Sequence, residues 1–165
     1  MEKGLLESAA KFASYRHRHQ FRRDGVTPYV EHPKAVMAIL HDEFGITDPE
    51  VLAAGLLHDT IEDTATDYDA VAEEFGTRVA DLVAALTKDK RLPEARRERE
   101  YFAQLARAPL AAKFCKVADT LHNLRDTDER LRPKARRKAS KLLRTFKGIK
   151  ALADPLAILE EEMGK

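Results

Sequence analysis

Cys115 is the only thiol in the 165-residue chain, so no internal disulfide can form, and it reads as a small packed residue rather than a nucleophile. Glycine and proline number only 7 each, which argues against a loop-dominated or low-complexity chain. Long apolar runs are missing too. The longest uncharged one, residues 51–57, falls far short of the roughly 20 residues that span a bilayer. The N-terminus lacks the charged-then-apolar pattern of an export signal, so a soluble, cytoplasmic protein with no membrane partner is expected. No period-2 strand run, internal repeat or Gly/Ser linker is visible.

Apolar residues make up 44% of the chain, enough for one core, and the expected organisation is a single domain over residues 1–165. Nearly every segment is punctuated as a helix, so the expected class is all-α, with roughly eight to ten helices. Leu5, Leu6, Ala9, Phe12 and Ala13 form one helical stripe, and Pro33 is placed to open a second helix that stops before Gly45. Asp48 followed by Pro49 reads as a cap and first-turn proline for a helix through Leu57. Further helices are expected at 67–75, 77–86, 94–106, 110–124, 133–146 and 155–162, leaving 22–31, 60–66 and 87–93 irregular.

A net charge of +1 conceals strong segregation. Residues 42–74 hold 11 acidic residues and no Lys or Arg, whereas residues 130–150 hold 10 basic residues and no acidic one. The basic block, within a C-terminal helical extension at 130–165, could face an anionic substrate, an acidic partner or water, and a solvated helix face is the plainer reading.

The acidic block carries the run His58-Asp59-Thr60-Ile61-Glu62-Asp63-Thr64. Crowded carboxylates repel and resist burial, so a histidine among them suggests a neutralising cation. Spacing alone leaves a second option open, a His-Asp pair acting as a structural cap. As a metal site it would draw His32, His58, Asp59 and Asp119 together, a mixed N/O set suited to manganese, iron or zinc. Lys116 and Asn123 lie one turn either side of Asp119 on a helix. Glu62 and Asp63 follow the His-Asp pair by four, placing carboxylates where one could orient or deprotonate an attacking water, or where both simply form an acidic surface turn. Arg22 and Arg23 precede a turn-rich loop that runs up to His32 and could grip phosphate. His17 and His19 read as surface or packing residues, His41 as a helix C-terminal dipole partner, and His122 as a packing residue pointing off the Asp119 face.

Four stretches then resemble a known family: His17-Arg18-His19-Gln20-Phe21-Arg22-Arg23-Asp24-Gly25, Thr27-Pro28-Tyr29-Val30-Glu31-His32-Pro33, Leu56-Leu57 with the His-Asp run, and Lys116-Val117-Ala118-Asp119-Thr120-Leu121-His122-Asn123-Leu124-Arg125-Asp126. In this order they resemble the HD-domain hydrolases of the Rel/SpoT group, in particular the small stand-alone metazoan type. The resemblance implies an HD-domain helical bundle binding one Mn2+ through His32, His58, Asp59 and Asp119. It implies water activation by Glu62 and Asp63, and nucleotide contacts from Arg22, Arg23 and Asn123. The implied reaction releases pyrophosphate from the 3′ position of ppGpp or pppGpp, the implied partner being a small nucleotide and no nucleic acid.

The chain departs from the family at three places. His19 stands where a glycine is usual, Thr120 where a Lys or Arg follows the metal-binding Asp, and residues 134–145 contain no aromatic where a C-terminal helix usually offers a tyrosine to the base. Two other readings stand beside the first: a related HD phosphohydrolase acting on another phosphorylated nucleotide, such as the 2′-phosphate of NADPH, and a non-catalytic HD binding module. Nothing in the sequence indicates an oligomeric state.

Overall fold

A computed structural model describes residues 2–165. Among them are ten α-helices and no strand, only an isolated bridge between Phe21 and Pro28. In chain order the helices are α1 (Glu2–Arg16), α2 (Glu31–Ala38), α3 (Pro49–Leu57), α4 (Thr60–Asp63), α5 (Tyr68–Phe75), α6 (Thr77–Leu86), α7 (Glu94–Arg107), α8 (Leu110–Arg125), α9 (Arg132–Phe146) and α10 (Ala153–Gly164). A π turn, Ile39–Glu43, continues α2, and a 3-10 turn, Lys150–Leu152, precedes α10. None of these helices is long and apolar enough to cross a membrane.

Helix α3 is the centre of the bundle. All its residues from Val51 to Leu57 are buried, and it packs against α1, α2, α6 and α8. Its start is set locally, because Asp48 accepts a hydrogen bond from the Glu50 amide at 3.0 Å and Pro49 needs no donor in the first turn. Asp48 also takes the Arg78 guanidinium at 2.6 Å, tying the start of α3 to α6. Small residues let the neighbours come close: Ala9 and Ala13 of α1 and Ala53 and Ala54 of α3 are fully buried. At Gly55 a Cβ would meet Leu40 Cδ1 at 2.6 Å, so a larger residue there would require the Leu40 side chain of the π turn to move aside.

Helix α8 runs alongside α3 and carries α2, α9 and α10 on its flanks. Leu142 and Phe146 of α9, Leu152 of the 3-10 turn and Leu159 of α10 are buried in the same apolar cluster as α3. The basic block therefore has an apolar face on the core, and only its other side is left for charge.

Candidate metal centre

Three segments deliver the polar side chains. The loop before α2 is closed by Asp24 Oδ1, which accepts from the amides of Val26 and Thr27 at 2.9 Å, and by the Tyr29 amide bonding Gln20 O at 2.9 Å. Gly25 turns the chain there with φ +72°, a left-handed value that favours glycine. The loop hands the chain to a helix that begins at Glu31, not at Pro33 as expected. His32 thus sits inside the first turn of α2, its amide bonded to Tyr29 O at 2.9 Å. Pro33 is tolerated one residue later because first-turn amides lack intrahelical acceptors.

His58 and Asp59 close the buried end of α3. The Thr60 hydroxyl bonds Leu57 O at 2.7 Å, and residues 60–63, expected to be irregular, wind one further α turn as α4. Asp119 projects from α8, with Lys116 Nζ and Asn123 Nδ2 each 2.6 Å from its carboxylate, as their spacing implies.

These side chains meet. His32 Nε2 lies 3.1 Å from Asp119 Oδ1 and 3.7 Å from Asp59 Oδ2, while His58 Nε2 lies 3.0 Å from Asp59 Oδ2 and 3.7 Å from Asp119 Oδ1. Donors about 2.1 Å from one ion, in octahedral or tetrahedral arrangement, sit about 3.0 to 3.5 Å apart. The tautomers fit the same picture. His58 Nδ1 faces Gly55 O at 2.8 Å, so its proton belongs on Nδ1, and the buried Nε2 has no hydrogen-bond partner. His32 Nδ1 lies 2.7 Å from His122 Nδ1, which can accept its proton and leave Nε2 as a lone pair. Two imidazole lone pairs would then confront two carboxylates, an arrangement that a divalent cation relieves and that fits the donor set.

The charges agree. Burial opposes a charge on His58, but Asp59 and Asp119 outweigh it and hold the ring well above the usual histidine range. Burial also works against ionised Asp119, yet Lys116 and the two histidines keep its carboxyl well below the usual carboxylate range. Burial, with His32 and Arg22 nearby, pushes His122 down to about 4, so this ring is neutral and able to accept from His32. The expectation that His122 packs away from the site is corrected: at about 100° per residue, a residue three on from Asp119 is only about 60° from its direction.

The remaining candidates lie around this centre. Glu62 accepts from the Lys88 amide at 2.9 Å and from Lys88 Nζ at 3.3 Å, and Asp63 pairs with Lys90. Both line a cavity of about 1050 Å³ that opens on His58, Asp59 and Asp119, and so do Arg23 and Asn123. Arg22 is turned elsewhere: it grips Asp126 through Nε at 2.9 Å and Nη2 at 2.8 Å, and donates to Asn123 Oδ1 at 3.1 Å. A shallower depression of about 490 Å³ between α6 and α7 is apart from these residues and holds no comparable cluster.

Reading the sequence did not single out Tyr29, Lys88 or Tyr101. The Tyr29 hydroxyl donates to Asp59 Oδ2 at 2.6 Å, and Tyr101 lies under the Lys88 and Lys116 ammonium groups at 5.0 and 5.4 Å. Tyr29 stood within a motif stretch, but only the fold aims it at Asp59.

An HD-domain family profile matches residues 9–157. The mouse (Mus musculus) protein named guanosine-3′,5′-bis(diphosphate) 3′-pyrophosphohydrolase MESH1 is 48% identical over 126 residues, covering 76% of this chain and 70% of the relative. The human (Homo sapiens) protein of the same name is likewise 48% identical over 126 residues, with the same 76% and 70% coverage. A solved structure described as a metazoan ortholog of SpoT that hydrolyzes ppGpp superposes with a TM-score of 0.88 at 34% identity, over 97% of this chain and 94% of that one.

Proposed function

This chain belongs to the HD-domain family, and on that premise we propose that it hydrolyses the 3′-pyrophosphate of ppGpp and pppGpp, giving GDP or GTP and pyrophosphate. One observation carries the reading: two imidazole nitrogens and two carboxylate oxygens, from three distant segments, converge at 3.0 to 3.7 Å, and His58, Asp59 and Asp119 of this set line a basic cavity. His32, His58, Asp59 and Asp119 would hold the divalent ion, which we take to be Mn2+. Such an ion, when bound, supplies Lewis-acid polarisation of a phosphoryl oxygen and lowers the pKa of water.

The chain's own residues do the rest. Glu62, held by Lys88, and Asp63, held by Lys90, face the cavity beside Asp59 and are positioned to orient the attacking water and take its proton. The water oxygen bonds to the phosphorus attached to ribose O3′, the P–O3′ bond breaks, and O3′ leaves with the proton that the carboxylate took from the water. Arg23, Lys88 and Lys116 meet the charge that gathers on the phosphoryl oxygens. Arg22 acts through Asn123, fixing the amide whose other end bonds Asp119. Selection of a small anionic nucleotide follows from this concave, cationic site.

The test is an incubation of the purified protein with ppGpp, pppGpp, NADPH and deoxynucleoside triphosphates, with and without Mn2+, identifying the released species. Metal-dependent release of pyrophosphate from the two alarmones is expected. Faster turnover of NADPH or a deoxynucleotide overturns the assignment.

A further inference from the structure

Helix α9 presents Lys134, Arg137, Lys138 and Lys141 to the cavity. Their spacing of three, four and seven places them along one side of the helix, while Ala139, Leu142 and Phe146 are buried in the core. The plainer expectation of a solvated basic face is therefore incomplete: these cations wall the same cavity whose floor holds His58, Asp59 and Asp119.

Three of the lysines around the cavity are already answered. Lys88 meets Glu62 at 3.3 Å, Lys116 meets Asp119 at 2.6 Å and Lys141 meets Glu98 at 3.6 Å. Among the described residues, Lys134, Arg137 and Lys138 have no such carboxylate. Lys138, solvent-accessible at the cavity wall, is partly desolvated by the surrounding protein. That desolvation and the positive charges of Lys88, Lys116 and Lys134 hold its pKa below the ordinary lysine value. Like charges gathered from α8, α9 and the loop after α6 repel until a polyanion enters among them.

The wall is also without a ring. No aromatic occurs in residues 134–145, so this part of α9 has nothing on which a base could stack as on a tyrosine. The cavity's other rings are engaged: Tyr29 with Asp59, Tyr101 with Leu86 O at 2.9 Å, and Phe102 beneath Lys141 Nζ at 4.2 Å. The α9 face thus offers cationic donors and no ring.

We propose that the α9 face bearing Lys134, Arg137 and Lys138 is a polyphosphate subsite that grips the 5′ phosphate chain, so that nucleotides are ranked by phosphate number more than by base. The proposal deepens the hydrolase reading and rests on it for the identity of the nucleotide. A concave site shared with the metal ligands favours a small polyanion over a duplex, which needs an open surface.

The experiment compares kcat and KM of the Mn2+-loaded protein for pppGpp, ppGpp and the adenine analogue ppApp, and measures binding of inorganic tripolyphosphate by calorimetry. Expected are a KM about tenfold lower for pppGpp than for ppGpp, equivalent to about 1.4 kcal/mol, and ppApp within a few-fold of ppGpp. The double variant K134Q/K138Q should bring the pppGpp and ppGpp KM values together and bind tripolyphosphate at least tenfold more weakly. The control K11Q/K150Q removes the same charge elsewhere and should retain the preference. An unchanged KM ratio in K134Q/K138Q, or loss of duplex DNA or RNA binding in that variant without a change in the ratio, overturns the subsite. If no 3′-pyrophosphate is hydrolysed at all, the functional reading fails, and the tripolyphosphate comparison alone decides whether the subsite exists.

Discussion

The Tyr29 hydroxyl donates a 2.6 Å hydrogen bond to Asp59 Oδ2, the oxygen that also lies 3.0 Å from His58 Nε2. Burial and the Asp59 charge push the phenol far above its ordinary pKa, so it remains a donor at every working pH. Tyr29 itself is set by the loop turn and by His17, whose ring centroid lies 4.8 Å away. The hydroxyl therefore orients the aspartate that a metal would use.

Replacing this donor should loosen the ion without unfolding the protein. Tyr29→Phe is expected to weaken Mn2+ binding by about 10-fold to 100-fold, measured by calorimetry, with little change in Tm. An unchanged Kd would show that the hydroxyl does not position Asp59.

Ligand and water-orienting roles separate by substitution. Asp59→Ala should abolish stoichiometric Mn2+ binding, whereas Glu62→Gln should retain it and lower kcat about 10²-fold to 10⁴-fold. Full turnover by Glu62→Gln would remove that carboxylate from the mechanism, and a metal-free Glu62→Gln protein would make it a ligand instead.

Arg125 joins three elements, bonding Glu43 of the π turn at 2.6 Å and Glu162 of α10 at 3.3 Å. Burial would raise the Glu162 pKa, but Lys165 and Arg125 outweigh it and hold the carboxyl below the ordinary value. A depressed carboxyl stabilises the fold above its unfolded pKa of about 4.3 and loses that contribution as pH falls through its folded value. The Tm of the native protein should accordingly drop more steeply below about pH 4.5 than that of Glu162→Gln. Parallel curves would assign the acid loss to other groups.

Cys115 is closed off. Its sulfur lies 3.7 Å from Val51 O, and burial pushes the thiol up to about 12. A disulfide reagent at pH 8 should label it only as fast as the protein unfolds. Rapid labelling of native protein would mean that the α3 and α8 contact opens locally.

The parts of this molecule that declare themselves locally were legible in the sequence. Asp48-Pro49 and the apolar run behind it are enough to mark α3, and adjacent His58 and Asp59 among further carboxylates are enough to suggest an ion. Relations between elements were not legible. The His122 contact with His32 depends on how α2 lies across α8, and the direction of the α9 cations depends on which face Leu142 and Phe146 bury. His32 lies inside its helix although Pro33 by itself marks a helix start one residue later, because a first turn also accepts proline after it has begun.

Helix α3 is enclosed on all sides and ends directly in His58 and Asp59. The reactive geometry is consequently a property of the entire body, with no hinge between scaffold and chemistry. Warming should not silence such an enzyme by fraying its centre first: inactivation and loss of the helical circular dichroism signal are expected to trace a single curve.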